Sequence, residues 1–389
     1  MENKKLQLKS SFWIAFILGF IGFVTSFGAH IVAVNLPTYA KEVGIGLAMI
    51  GLLIAAYDLA EIVSKPIFGA IADRQGMKRT MMAGIAVFIL ASALYLIIPP
   101  SLLLLIRFMQ GVGAAALSAV SLALVAEYFK ENRGRAYGIY NAIKGSGYVI
   151  SPIVGGFLVF KSNFASIFIA SAIIGIIAFV LAVFLPKTED GGKEAFREDD
   201  EMSLKAFTKV FRDPVLLPWY LVIVINMFFV GILFGFLPVY ISNLGYTPFQ
   251  SGIIISVVAL SYLLIQPVAG ILADKNNPVV VIKTGLVLSA LAIIFITFTH
   301  SVLFIILSII AGVGVGTVWT NTDTLMSKLA KEGRLGETMG IAGSFKEFGD
   351  MVGPLLIGLL SQTLGLSSGF LISGVLGLFS ILFIRKIKN

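Results

Sequence analysis

Apolar residues occur along this chain in repeated runs of about twenty, and no other feature limits its fold as strongly. A helix of about twenty apolar residues can cross the ~30 Å hydrocarbon core of a bilayer. Hydrophobic residues make up 58% of the 389 residues and charged residues 13%, whereas soluble domains hold about 45–50% and about 25%. We therefore expect an all-α, polytopic membrane protein.

The apolar runs predict twelve transmembrane helices. We place them at residues 12–36, 47–71, 80–98, 101–127, 136–159, 164–186, 215–241, 249–273, 279–299, 302–327, 336–362 and 366–385. Only the segment between Pro186 and Pro214 is both long and polar. The predicted domains are a six-helix half over 1–186, a cytoplasmic central loop over 187–213 and a second six-helix half over 214–389.

The basic residues predict the orientation of the chain. With both termini on one side, nearly all lysines and arginines of the loops fall on that side, and the other side has only Lys41 and Lys161. The positive-inside rule then places the termini and the central loop in the cytoplasm. The loops account for the net charge of +8, so no nucleic-acid partner is expected. We predict a multi-pass protein of a bacterial cell membrane.

Cofactor chemistry is not expected. The chain has no cysteine and two histidines, which argues against a metal site. It also lacks the glycine-rich loop that binds the phosphates of ATP. We predict no cofactor, no metal and no enzymatic activity.

The two halves of the sequence resemble each other at an offset of 201 residues. Segment 35–39 (Asn-Leu-Pro-Thr-Tyr) aligns with 236–240 (Phe-Leu-Pro-Val-Tyr), and 111–113 aligns with 312–314. Because each half has six spans, both halves enter the membrane in the same direction. This parallel repeat resembles the major facilitator superfamily. The resemblance implies a two-half helix bundle whose central cavity opens to each side of the membrane in turn.

The loop between helices 2 and 3 resembles the signature loop of that superfamily. It reads Gly69-Ala-Ile-Ala-Asp73-Arg74-Gln75-Gly76-Met77-Lys78-Arg79. Gly69 is expected to permit a close helix contact and Gly76 a tight turn. The resemblance implies that Asp73 faces the positive N-terminal end of helix 11 and that the loop is a conformational latch. The alternative is a basic turn that only fixes topology.

Two helices carry further motifs of the superfamily. Helix 4 contains Arg107-Phe-Met-Gln110-Gly111-Val-Gly113, which resembles its arginine motif, and helix 5 contains Gly147-Tyr-Val-Ile-Ser151-Pro152-Ile-Val-Gly155-Gly156, which resembles the antiporter motif of drug–proton exchangers. Ser151 stands where that motif prefers glycine. The small residues are expected to contact a helix of the opposite half, and the alternative is ordinary small-residue packing. Arg107 either faces a cavity or extends to the membrane interface.

Ionisable residues inside predicted spans are candidates for function because each is costly to place in a membrane. The proton-coupling candidates are Asp58, Glu61, Asp323, Asp350 and Arg107. The substrate-cavity candidates are His30, Asn35, Lys144, Asn226, Tyr262, Trp319, Asn321, Lys346 and Glu347. We expect Asp58 or Glu61 to pair with Lys346 where the two halves meet, and to take up a proton when the pair separates. The alternative is a set of static ion pairs.

These features predict a proton-coupled secondary transporter that exports lipophilic or cationic small molecules. Its expected partners are the substrate, protons and the lipid bilayer, and we expect a monomer. One alternative is a symporter or facilitator for a sugar, an amino acid or an organic anion, with Lys144 and Lys346 as anion ligands. Another is a membrane scaffold or sensor, which would need a signalling domain that these loops are too short to supply.

Overall fold

The computed structural model describes residues 2–129, 133–185, 215–329 and 335–384, and these residues form helices without any strand. The helices are α1 (Glu2–Glu42), α2 (Leu47–Gln75), α3 (Met77–Leu94), α4 (Leu103–Tyr128), α5 (Arg133–Lys161), α6 (Ala165–Val183), α7 (Leu217–Asn243), α8 (Pro248–Lys275), α9 (Pro278–Ile296), α10 (Ser301–Leu329), α11 (Leu335–Leu364) and α12 (Leu366–Ser380). The all-α fold of twelve helices is thus confirmed. The predicted central loop lies outside the described residues.

Ten of the helices are long and apolar enough to cross a membrane when the described residues are searched. The two others are α12, which is apolar but has 15 residues, and α11, which carries the charged Lys346, Glu347 and Asp350. The charges of α11 have a physical explanation: charges within a span are tolerated where they face protein or a cavity and not lipid.

Four of the helix ends are set by glycines in the left-handed backbone region, including Gly365 between α11 and α12 with φ of 85°. Gly44 follows α1 with φ of 81°, Gly76 separates α2 from α3 with φ of 94°, and Gly245 follows α7 with φ of 85°. Only glycine adopts this conformation without a steric penalty. Gly44 and Gly245 lie at the repeat offset, so α1 and α7 end in the same way. Helix α1 has 41 residues, so it is longer than the helix predicted over residues 12–36.

The chain forms two compact units. The first contains Met1–Leu36 and Ala56–Arg197, and the second contains Pro37–Ala55 and Glu198–Asn389. Pro37–Ala55 therefore packs with the second unit, although the sequence assigns it to the first half. Within that unit, a side chain at Gly51 would collide with the backbone oxygen of Pro354.

Glycine contacts inside each unit repeat at the offset seen in the sequence. A methyl group on Gly113 would lie 2.9 Å from the backbone oxygen of Gly84, where α4 crosses α3. A methyl group on Gly314 would lie 2.6 Å from the oxygen of Gly285, where α10 crosses α9. These backbones approach each other at a distance that only glycine permits. The repeated glycines therefore hold the same helix crossing in both units.

A π-helical turn interrupts α7 at Ile232–Phe236, just before Pro238. Proline lacks the N–H that would continue the α-helical hydrogen bonds, and π turns inside helices are frequent at functional sites. The turn is fully buried. Beside it, a methyl group on Gly231 would lie 2.6 Å from Cδ of Pro354 in α11.

Candidate substrate and proton sites

Arg107 is buried in the interior of the first unit. Only 2% of it is exposed. Its Nη1 donates a 2.7 Å hydrogen bond to Oε1 of Gln110, and its guanidinium lies 4.4 Å from the centre of the Tyr57 ring. Nε of Arg107 has no hydrogen-bond partner among the described residues. Arg107 therefore lies inside the unit and does not extend to the membrane interface.

A chain of polar side chains holds the partner of Arg107 in place. Nε2 of Gln110 donates to Oγ of Ser92 at 3.5 Å, Ser92 pairs with Ser171 at 3.0 Å, and Ser171 donates to the backbone oxygen of Gly28 at 3.2 Å. This series of hydrogen bonds links α4 to α3, α6 and α1. The sequence motif pointed to Arg107 but not to Tyr57, which lies one residue before Asp58 and has no motif of its own.

The ionisable residues of α2 interact within the first unit. Nζ of Lys65 lies 2.8 Å from Oε2 of Glu61, as expected for residues four apart on a helix. Asp58 is buried on the same helix, with 7% of its surface exposed. The structure therefore gives Glu61 a partner from its own helix, whereas the sequence led us to expect Lys346.

Lys346 belongs to a cluster in the second unit, formed by Tyr262, Trp319, Asp323 and Lys346 and here called the Lys346 cluster. Nζ of Lys346 lies 2.6 Å and 2.7 Å from the two carboxylate oxygens of Asp323. It also lies 4.6 Å from the centre of the Trp319 ring, and the Tyr262 ring meets Trp319 edge-on at 5.6 Å. Three helices, α8, α10 and α11, thus bring four of the predicted site residues together.

The three candidate asparagines are buried and bond to backbone oxygens of their own or adjacent helices. Nδ2 of Asn35 donates to Ile31, that of Asn226 to Val315, and that of Asn321 to Thr317 and Ala269. The bonds of Asn226 to Val315 and of Asn321 to Ala269 join neighbouring helices. The predicted place of the asparagines and of the half-buried Glu347 in a substrate cavity stays a prediction. The proton-coupling role of Asp350, which is also half-buried, stays a prediction too.

His30 and Lys144 lie where α1 meets α5. Nδ1 of His30 contacts the backbone oxygen of Ser26 at 2.8 Å, and its ring meets that of Tyr148 at 4.2 Å. Oγ of Ser26 also donates to the backbone oxygen of Lys144 at 2.5 Å. Both candidates are half-buried, so an aromatic and polar surface is formed by α1 and α5 together.

The motif of α5 packs against α1 of the same unit. Its expected contact with the opposite half stays a prediction. A methyl group on Gly147 would lie 2.8 Å from the backbone nitrogen of Phe27. One on Gly155 would lie 2.9 Å from Cγ1 of Ile31 and would collide with the Asn35 amide. The second unit repeats this contact, since Gly349 and Gly353 of α11 face α7. The small residues therefore hold each unit together internally.

The buried hydroxyl of Ser151 is expected to lower the stability of this helix contact. Its hydroxyl is fully buried and has no hydrogen-bond partner among the described residues, and burial of an unpaired hydroxyl is unfavourable. Ser151→Ala is expected to stabilise the folded protein by about 1 kcal/mol, measured as a shift in the unfolding midpoint. Ser121→Ala is the matched control, because Ser121 bonds to the Tyr140 hydroxyl at 2.8 Å. It should destabilise, and equal shifts from both variants would contradict the prediction.

The loop between α2 and α3 shows one of its expected features, the tight turn. Gly76 makes the tight turn, whereas a methyl group on Gly69 would meet no atom of the described residues within 4 Å, so the close contact expected at Gly69 is not seen there. Nζ of Lys78 donates to the backbone oxygens of Val183 and Leu185 at 2.6 Å and 2.5 Å, which caps the end of α6. In the motif of α5, Pro152 and Gly156 are buried. Arg74 and Arg79 of the loop are exposed, and the side chain of Asp73 lies outside the described part. The latch therefore stays a prediction.

Ionisable residues inside membrane helices mark substrate and ion pathways or proton relays, so the fold and these ion pairs indicate a polytopic membrane transporter. Residues 18–282 and 220–388 match the family model described as Major Facilitator Superfamily. The chain belongs to that superfamily.

Individual relatives cover nearly the whole chain. The quinolone resistance protein NorA of Staphylococcus aureus (strain MSSA476) is 26% identical over 356 residues, which are 89% of either chain. The riboflavin transporter RibZ of Clostridioides difficile (strain 630) is 26% identical over 386 residues, 86% of this chain and 84% of that one.

Solved structures show the same fold. The chain is similar to a D-xylose–proton symporter, with a TM-score of 0.78 and 13% identity. It is also similar to a bacterial homologue of the human lysosomal transporter Spinster in an inward-facing conformation, with a TM-score of 0.81 and 15% identity. Each alignment covers 96% of both chains.

Proposed function

We propose that this transporter exports small aromatic or cationic molecules from a bacterial cell in exchange for protons. The likeness to NorA over 89% of both chains carries the proposal, since NorA is a quinolone resistance protein. Paired carboxylates within the membrane helices support the coupling: Glu61 pairs with Lys65, and Asp323 with Lys346. A carboxylate that exchanges its lysine for a proton changes the charge of the pathway.

In this mechanism, an outside proton neutralises one of the acids and substrate leaves to the outside. Loss of that proton to the cytoplasm then resets the transporter. Arg107, held by Gln110 against Tyr57, supplies a fixed positive charge in the first unit. The chain acts as a monomer with its termini and its central loop in the cytoplasm, as the basic loops favour.

A flux assay tests this proposal. Purified protein in liposomes with an imposed pH gradient is given a panel of lipophilic cations, sugars and organic acids, and both the substrate and the internal pH are followed. We expect proton movement opposite to substrate movement, and only with the aromatic or cationic members. Movement of proton and substrate in the same direction would contradict antiport.

The second candidate is a symporter or facilitator. The relative RibZ is a riboflavin transporter and one structural neighbour is a D-xylose–proton symporter. A symporter would move riboflavin or a sugar in the same direction as the proton, and a facilitator would move it without proton movement. The same assay, with riboflavin added to the panel, separates these candidates from the antiporter.

A further inference from the structure

The ammonium group of Lys346 can accept a further anionic partner. Lysine has three N–H donors and no acceptor, and the two oxygens of Asp323 use at most two of these donors. The structure gives Nζ no other hydrogen-bond partner among the described residues. About 19% of the Lys346 side chain and 30% of the Asp323 side chain remain exposed. One donor is therefore accessible to a small molecule.

The exposed part of this pair faces protein or a cavity and not lipid. An ion pair against hydrocarbon is strongly disfavoured, and Lys346 extends from α11 towards Asp323 and Trp319 of α10. Within the second unit, Tyr262 of α8 meets the same indole, which gives the accessible donor an aromatic border.

A cationic ligand fits this place poorly. The face of the Trp319 ring already carries the ammonium of Lys346, and the carboxylate of Asp323 is bound to it. A ligand cation would have to displace Lys346 from both partners and would then remain close to an unpaired positive charge. An anion instead adds one hydrogen bond to an existing cation and displaces nothing.

We propose that the Lys346 cluster binds the carboxylate of an aromatic organic acid. The carboxylate accepts a hydrogen bond from Lys346, on the side of the ammonium away from Asp323. The ring of the same molecule packs against Tyr262 and the indole of Trp319. This subsite names a substrate class for the proposed function and rests on it for transport, but binding requires no proton gradient.

Tryptophan fluorescence of the purified protein at equilibrium tests the subsite. Because the chain has three tryptophans, Trp13→Phe and Trp219→Phe leave Trp319 as the reporter. The probes are 2-naphthoate, its methyl ester and 2-naphthylmethylammonium, which share a ring and differ in charge. We expect 2-naphthoate to quench Trp319 with at least tenfold higher affinity than either of the other probes.

Variants identify the groups that bind. Lys346→Met should weaken 2-naphthoate binding about tenfold or more and leave ester binding within twofold, because only the charged contact is lost. Asp323→Asn should tighten 2-naphthoate binding, because it frees Lys346 from its partner. The double variant Asp323→Asn/Lys346→Met removes both charges together, so it gives the same comparison if the single lysine variant does not fold. Lys275→Met removes an exposed lysine at the end of α8 in the same unit and is the matched control.

Tighter binding of the ammonium probe than of 2-naphthoate would overturn the proposal, as would equal binding of 2-naphthoate by the Lys346→Met and unchanged proteins. Failure of proton exchange with intact 2-naphthoate binding would refute the proposed coupling and leave this subsite standing.

Discussion

Replacement of Asp58 by asparagine and Glu61 by glutamine in one protein is expected to abolish proton-driven transport. The amides keep the size of both side chains but cannot release a proton. A pH difference of one unit stores about 1.4 kcal/mol per proton, which supports at most a tenfold substrate gradient in a one-to-one exchange. We expect that gradient to disappear, while exchange of labelled for unlabelled substrate without a pH difference continues.

The measurement uses liposomes that hold equal amounts of folded protein. Glu42→Gln is the matched control, since Glu42 is an exposed acid at the end of α1. Because Glu61→Gln leaves Lys65 without this carboxylate partner, gel filtration of each variant must show that it is folded. Full proton-driven uptake in both single variants and in the double variant would remove the acids of α2 from the mechanism. Asp323 and Asp350 would then be tested in the same assay.

Gly155→Leu is expected to destabilise the contact between α5 and α1 strongly. Its first side-chain carbon would already lie 2.9 Å from Cγ1 of Ile31 and would collide with the Asn35 amide, and three further carbons follow. Insertion of extra carbons into a packed contact costs about 1–3 kcal/mol and occasionally more. We expect a loss of about 3 kcal/mol, with the coupling ratio of the remaining folded protein unchanged.

Gly343→Leu in α11 is the matched control, because a methyl group there would meet no atom of the described residues within 4 Å. Melting temperature and proton-to-substrate ratio are measured on the same preparation of each variant. A Gly155→Leu protein of unchanged stability that leaks protons would contradict the prediction. It would instead support the seal between halves that the motif of α5 first indicated.

The sequence predicted the fold well because its signals are periodic and strong. Apolar runs of about twenty residues specify spans, and the repeated glycines specify where the spans cross. The pair Gly113 and Gly314, aligned by sequence alone, make the same crossing in both units. Where signals conflicted, the sequence was less informative: α11 carries three charges between residues 346 and 350, so its apolar character is weak although it is a helix.

The candidate site was only partly predicted. The residues Trp319, Asp323 and Lys346 were identified from their types, because charges and aromatics inside spans are rare and costly. Their pairing was not predicted. The spacing of residues within α11 does not specify whether its lysine meets an acid of α2 or an acid of α10. Tyr57, whose ring contacts the guanidinium of Arg107, was not predicted because nothing in the neighbouring sequence distinguishes it from the other tyrosines.

The sequence by itself determined the number of helices, the parallel repeat and the set of charged residues placed inside spans. Each of these follows from local hydrophobicity or from similarity between two segments, which need no knowledge of distant contacts. Only the tertiary structure decided that Lys346 pairs with Asp323, that α5 packs on α1, and that Arg107 is buried against Tyr57 and Gln110. A helical period fixes which face a side chain occupies, but the neighbour of that face is selected by the packing of all the helices in the unit.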